Sequence, residues 1–137
     1  MKALTLTEPF GTLMMLKAKR VETRSSKLPN SILGQNVIIH SAKAYPKMYQ
    51  RLCNTEPFRS ALRPGGVRVY PDLNRTKGLC VVRFIACLRT EDVRSQLTPQ
   101  ELAFGNYLDG RYAWFTEYVE RWTDPTPHVG RLRFWEW

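Results

Sequence analysis

Paired cysteines, clustered histidines and long apolar runs are all missing from this chain, and each absence narrows what it can be. The three cysteines, Cys53, Cys80 and Cys87, are odd in number and show no C-x-x-C spacing, so they indicate neither a disulfide framework nor a zinc site. They read as packing residues in a reducing compartment. Cys80 and Cys87 fall in one expected strand, where simple alternation puts them on opposite faces. The two histidines, His40 and His128, are too distant in sequence for metal-ligand spacing. No apolar run is long enough to span a membrane, and residues 1–6 are too short for a signal-peptide core. A cytoplasmic protein with no membrane partner, no metal and no cofactor is expected. No internal repeat and no low-complexity tract is present.

Acidic residues are scarce in one half of the chain. From residue 24 to residue 83 there are eleven Lys or Arg and only two acids, Glu56 and Asp72. Beyond that point acids slightly outnumber bases. The net charge of +9 is therefore a local field. A polyanionic partner follows from it, because each neutralised phosphate releases counterions and makes affinity salt-dependent. The alternative is a basic surface that serves solubility. At 137 residues, with the aromatic and aliphatic content of a folded protein, the chain is long enough for one domain, residues 1–137, with a real core.

The pattern along the chain mixes both periodicities. Residues 2–6 alternate as a first strand. Thr7, Glu8 and Pro9 then read as a helix start, with Thr7 as cap, Glu8 complementing the dipole and Pro9 in the first turn. Phe10, Leu13, Met14 and Lys17 share a helical face, and Met14 and Met15 read as core filling. A second strand is expected over 20–24, a loop over 25–33, and a Val/Ile-rich third strand over 35–40. Two short helices follow, over 45–54 and 57–62. Lys43, Lys47 and Arg51 form one helical face there, either a solvated face or a phosphate-tracking ridge.

The stretch 63–78 is rich in turn chemistry, with Val67 to Tyr70 as a possible hairpin arm. Its cations, Arg68 among them, surround Tyr70, which suits either a loop gripping a nucleic-acid backbone or a plain surface loop. Residues 79–89 are the clearest strand, apolar on both faces apart from Arg83. A buried Arg83 would need Glu22 or an equivalent acid, or else would line a cleft. Thr98-Pro99-Gln100-Glu101 is a capping box. A long strand over 111–122 puts Tyr112, Trp114, Thr116, Tyr118, Glu120 and Trp122 on one face, as barrel packing or as a stacking platform. Residues 131–135 close the sheet.

The most informative run is Lys17-Ala18-Lys19-Arg20-Val21-Glu22-Thr23-Arg24. If 21–25 is extended, Glu22 and Arg24 point to one face and Thr23 to the other. Lys19, Glu22 and Arg24 would then furnish a small charged cleft, or else a helix end with solvated charges and an exposed salt bridge. His40, at a strand end, either reaches that cleft or is a satisfied buried imidazole.

This run resembles the G-x-K-x-x-E-x-R signature of the ASCH domain family, part of the PUA-like superfamily. Lys19, Glu22 and Arg24 match its last three fixed positions, and Lys17 stands in place of the usual Gly, where it must avoid a left-handed backbone that Gly would tolerate. The opening, with Glu8-Pro9-Phe10 where the family often has Gln-Pro-Trp, is also similar. So are Ile39-His40-Ser41-Ala42-Lys43, Gly110-Arg111-Tyr112-Ala113-Trp114 and the ending Leu132-Arg133-Phe134-Trp135-Glu136-Trp137. The resemblance implies an α+β fold, a small PUA-like mixed β-barrel of about six strands flanked by short helices. It also implies a partner such as RNA, another single-stranded nucleic acid or a modified nucleoside. Amidohydrolase-type members carry Thr at the position of Glu22 and a second Glu on a central strand. Here the position holds Glu22, and the central strand holds Arg83 and no carboxylate, which argues against that activity.

Two functions stay open on these residues. As a binding module, one barrel mouth would present Lys19, Glu22, Arg24, His40 and Lys43 near Arg111, Tyr112 and Trp114, with Arg68 and Tyr70 on a loop. Trp114 or Tyr112 would stack on a base, Glu22 would accept from an exocyclic amine, and the cations would hold phosphate. As a metal-independent hydrolase, a ribonuclease would use Glu22 or His40 as base and Lys19 and Arg24 on the phosphate. An amidohydrolase would use Lys19 or Thr23 as nucleophile with Glu22 moving the proton. A protein-interaction module using the ends of the aromatic row is the third option. The oligomeric state is not indicated.

Overall fold

The structure is a computed structural model that describes residues 1–65, 73 and 75–137. Its strands are β1 (Lys2–Leu6), β2 (Val21–Arg24), β3 (Asn36–Ser41), β4 (Gly78–Arg89), β5 (Tyr112–Arg121) and β6 (Phe134–Glu136). Its helices are α1 (Phe10–Met15), α2 (Lys47–Leu52), α3 (Phe58–Leu62), α4 (Thr90–Val93) and α5 (Pro99–Ala103). The strands form one mixed sheet in the order β2-β5-β4-β3-β1-β6, and it curls into a half-barrel. Among the described residues only β1 and β3 run parallel; the connection between them carries α1 and β2, as a parallel pair requires a crossover. The fold is α+β, as the sequence predicts.

The concave face packs Leu4, Leu6, Met14, Val37, Ile39, Val82, Phe84 and Trp114 into the main core. The convex face carries a second cluster of Ala3, Ile38, Val81 and Trp135. Alternation along β1 and β3 accounts for this division, since neighbouring residues point to opposite faces.

Besides a register shift between Ile39 and His40 where β3 meets β4, two β-bulges between β4 and β5 break the alternation. On β4, Phe84 pairs with Thr116 while Ala86 pairs with Phe115, leaving Ile85 as the extra residue. A bulge shifts every later residue to the other face. Cys87 therefore packs against the same concave core as Cys80, contrary to the expectation of opposite faces. On β5, Val82 pairs with Tyr118 and Val81 with Glu120, so Val119 is extra. The aromatic row is split by it: Tyr112, Trp114 and Tyr118 join the concave core, while Trp122 packs with Trp137 on the convex cluster. Arg83 is also not buried. It is exposed at the sheet surface, donating to Asn36 Oδ1 and lying 4.0 Å from Glu117. It does not meet Glu22; the acid beside it is Glu117. The far end of β4 is bare on one face, with Ile85 and Leu88 nearly half exposed.

The start of α1 differs from the expected cap. Thr7 makes no side-chain cap. Glu8 turns inward instead, fully buried, and its carboxylate accepts from the Thr12 N–H at 2.8 Å and from the Thr12 hydroxyl. Burial pushes its pKa up from 4.5 to about 7, against the pull of those hydrogen bonds. The end of α1 is a Schellman motif: the Lys17 N–H donates to Met14 O and the Ala18 N–H to Leu13 O. The left-handed position in that motif is Lys17, at φ 63°. Lys17 thus adopts the backbone it was expected to avoid, and its ammonium lies over the Tyr118 ring at 4.6 Å. Half of the expected capping box forms at α5: Thr98 Oγ1 accepts from the Glu101 N–H, while the Glu101 carboxylate accepts instead from the Arg20 N–H at 2.8 Å.

Candidate functional site

The Schellman turn delivers the chain from α1 straight into β2, and this sets the site. Lys19 leaves the turn with its side chain directed into the protein, 3 % exposed. Its ammonium donates to Val21 O and to Phe104 O at 2.7 Å, and lies 3.7 Å from Glu22 Oε1. Burial lowers its pKa, and the nearby carboxylates of Glu22 and Glu101 oppose that shift. Its donors are thus directed at two carbonyls and a carboxylate.

In β2, Glu22 and Arg24 point to the concave face, as period two dictates. Arg24 Nε donates to Glu22 Oε2 at 2.9 Å, and its guanidinium lies over Trp114 at 5.6 Å. The Glu22 carboxylate is therefore held on one oxygen by Lys19 from below and on the other by Arg24 from outside. A carboxylate held in this way presents its remaining lone pairs in a fixed direction.

Those lone pairs face a recess of about 430 Å³ that Glu22 and Thr23 line together with Phe10, Tyr49, Asn106 and Arg111. Thr23 Oγ1 accepts from the Asn106 N–H at 2.9 Å. Arg111 donates to Asn106 O at 3.1 Å and to Thr23 O at 3.5 Å, which holds its guanidinium at the recess wall. Phe10 and Tyr49 meet edge to face with ring centroids 5.5 Å apart. The lining thus offers one carboxylate, one guanidinium, one hydroxyl and two aromatic rings, suited to a flat polar ligand. Among the described residues, no three of His, Cys, Asp and Glu gather in a way that would hold a metal ion, and no helix is long and apolar enough to cross a membrane.

The remaining candidates fall elsewhere. Trp114 is 4 % exposed, with its indole N–H donating to Ser26 O and its ring stacked on Phe134. It is a wall of the core and offers no free face to a base. Tyr112 is partly buried and lines a separate groove with Lys27 and Arg89. His40 lies on the convex side of the sheet. The Trp135 indole donates to Thr5 Oγ1, the Thr5 hydroxyl donates to His40 Nδ1, and His40 Nε2–H donates to His128 O at 2.8 Å. This network assigns the neutral imidazole with its proton on Nε2, and burial lowers the pKa further. Of its two readings, the satisfied buried imidazole is the one found, and it takes no part in the cleft. Lys43 is exposed on the chain that follows β3 and does not line the recess. Arg68 and Tyr70 lie outside the described residues.

Sequence reasoning missed Phe10, Tyr49 and Asn106. Phe10 was visible as the residue after Glu8-Pro9 in the opening motif, but helical spacing assigned it to packing. Tyr49 lies in the expected helix over 45–54, where the cations drew the functional reading and the ring was passed over, and Asn106 sits in a segment with no signal of its own. Compared with models of protein families and with curated proteins, the chain matches none.

Proposed function

We propose that this chain binds RNA, or another single-stranded nucleic acid, by taking one unstacked or modified base into the recess beside Glu22, as an ASCH-like module of the PUA-like type. The observation that carries the reading is the Glu22 carboxylate, clamped between Lys19 and Arg24 and facing an open recess that also holds Arg111 and Tyr49. A fixed carboxylate accepts from the amino and imino donors of a base edge, and the Tyr49 and Phe10 rings supply flat apolar area. Arg111 supplies a cation for flanking phosphate. The basic field of residues 24–83 supports the same partner.

Lys19 acts here as a positioning residue beneath Glu22. Of the two hydrolytic alternatives, the ribonuclease asks Glu22 or His40 to act as base, and His40 lies on the other side of the sheet; the amidohydrolase asks Lys19 or Thr23 to attack. The Lys19 donors are engaged within the fold, and Thr23 Oγ1 is already accepting from Asn106, so binding is the reading these residues favour.

The test is equilibrium binding of a labelled RNA pool and a panel of ribonucleosides, modified cytidines included, in EDTA and across a salt series. Binding that weakens steeply with salt, and falls at least tenfold in Glu22→Gln at a temperature where the melting curve shows that variant still folded, is expected. Binding that Glu22→Gln leaves intact would exclude the recess. Chemical change in any ribonucleoside or RNA after incubation would move the reading to the hydrolase.

A further inference from the structure

The bulge at Ile85 has an effect beyond packing. It brings Cys87 and Arg89 to the concave face, opposite Trp114 and Tyr112 of β5, which are themselves paired with Glu22 and Arg24 of β2. Two rows result across three strands: Glu22–Trp114–Cys87, and next to it Arg24–Tyr112–Arg89. At two residues of strand rise they are about 7 Å apart. Cations and rings alternate over them, with Arg24 above Trp114 at 5.6 Å and Arg89 above Tyr112 at 5.4 Å.

The second row opens outward. Tyr112 and Arg89 border a groove of about 570 Å³ whose lining includes Lys27 from the 25–33 loop and the half-exposed Leu33, Ile85 and Leu88. Asp92 also lines it, and Glu91 lies 3.7 Å from Arg89. The groove therefore has apolar area, a guanidinium plane that can stack, and a free surface lysine. Stacking on guanidinium planes and rings, with a cation for the backbone, is how unpaired nucleotides are held.

We infer that the ligand is a polynucleotide strand rather than a free nucleoside, and that this groove is a second subsite for the nucleotide adjoining the one in the recess. The inference rests on the proposed function. The strand passes Arg24, which stands at the boundary of the two rows. One base enters beside Glu22; its neighbour stacks against Arg89 and Tyr112, and Lys27 takes the phosphate of that neighbour.

The experiment compares the four ribonucleosides with fluorescein-labelled hexaribonucleotides of A, C and U. It uses wild type, Lys27→Ala/Arg89→Ala, and Arg131→Ala/Arg133→Ala as an equal charge loss next to β6, at the opposite edge of the sheet from β2. All four positions are exposed, and melting curves check that each variant folds. A hexamer should bind at least tenfold tighter than its nucleoside. The groove variant should lose about tenfold for the hexamer with nucleoside affinity unchanged. Its salt slope should fall by about 0.7, the value for the one single-strand phosphate that Lys27 holds, and the control variant should lose little. A hexamer no tighter than its nucleoside, or equal losses in the two variants, would overturn the second subsite and leave the recess standing. Failure of both nucleosides and hexamers to bind would overturn both proposals.

Discussion

Replacing Lys19 with Met tests whether this ammonium is the anchor on which the site is built. Met keeps the length and apolar stem but removes the charge and all three donors. Val21 O and Phe104 O, which accept from Lys19 Nζ, would each lose that donor in a buried setting, at about 1–3 kcal/mol per orphaned group. Glu22 would lose a partner 3.7 Å away but keep Arg24 and some water, since its side chain is 12 % exposed. Relief from burying an ammonium offsets part of this. A net loss of about 3 kcal/mol is expected. At about 2.1 cal/mol/K per residue, unfolding of this 137-residue chain carries about 0.29 kcal/mol/K. The loss should therefore lower Tm by about 10 °C in a calorimetric scan. The double variant Lys19→Met/Glu22→Gln should lose less than the sum of its two single losses, because both substitutions remove the same Lys19–Glu22 pair. A Lys19→Met protein that melts within about 3 °C of wild type would refute the reasoning: the ammonium would then not support β2, and Glu22 would not owe its position to it.

Three further outcomes follow from the same geometry. Glu8 has a native pKa of about 7 against an ordinary 4.5, so between those values the folded state binds more protons than the unfolded chain. Stability should fall as pH rises through that window and level off above it. The full effect is at most about 3 kcal/mol, from about 2.5 pH units at 1.36 kcal/mol each. Glu8→Gln, which can still accept from the Thr12 N–H, should flatten the profile in denaturant titrations at pH 5 and 8; a wild-type profile already flat over that range would contradict the buried carboxylate. At Lys17, a β-branched residue is poorly accommodated at φ 63°. Lys17→Val should cost about 1–2 kcal/mol, whereas Lys17→Gly should stay near wild type, as relief of the left-handed strain offsets loss of the Tyr118 contact; equal melting of the two variants would exclude the Schellman assignment. His40→Ala should lower stability by about 2 kcal/mol and leave RNA affinity unchanged, because its bonds run to Thr5 and His128 on the convex side. A loss of affinity without loss of stability would return His40 to the site.

Much of the fold was readable because it depends on local rules. The alternation of β1, the Val and Ile of β3, the apolar run of β4 and the capping box at Thr98 each state their element within a few residues. The convergence of Lys19, Glu22 and Arg24 was legible for the same reason: one turn and a period of two fix three side chains. What failed was every inference that carried a parity across a bulge. Ile85 and Val119 are ordinary strand residues, and nothing in their identity announces that each is counted twice against its partner strand. From that error came the misplaced Cys87 and Trp122. The buried Glu8 and the left-handed Lys17 were hidden differently, since each sits in a conformation its type disfavours and the surrounding fold compensates.

The failures of parity and the proposed second subsite have one origin. Strict alternation from Cys80 would turn Cys87 and Arg89 to the convex face, away from Tyr112 and Trp114, and no row of alternating cations and rings would exist. The extra residue at Ile85 carries Arg89 over Tyr112 and at the same time leaves Ile85 and Leu88 uncovered at the groove. Pairing β4 in unbroken register with Ile85 retained, so that Ile85 stands opposite Phe115 and Arg89 opposite Arg111, should therefore abolish the Arg89–Tyr112 contact while the Lys19–Glu22–Arg24 cluster on β2 persists. Such a variant would separate base recognition in the recess from strand recognition along the groove: ribonucleosides should bind it as they bind wild type, and the hexamer should bind it no better than they do.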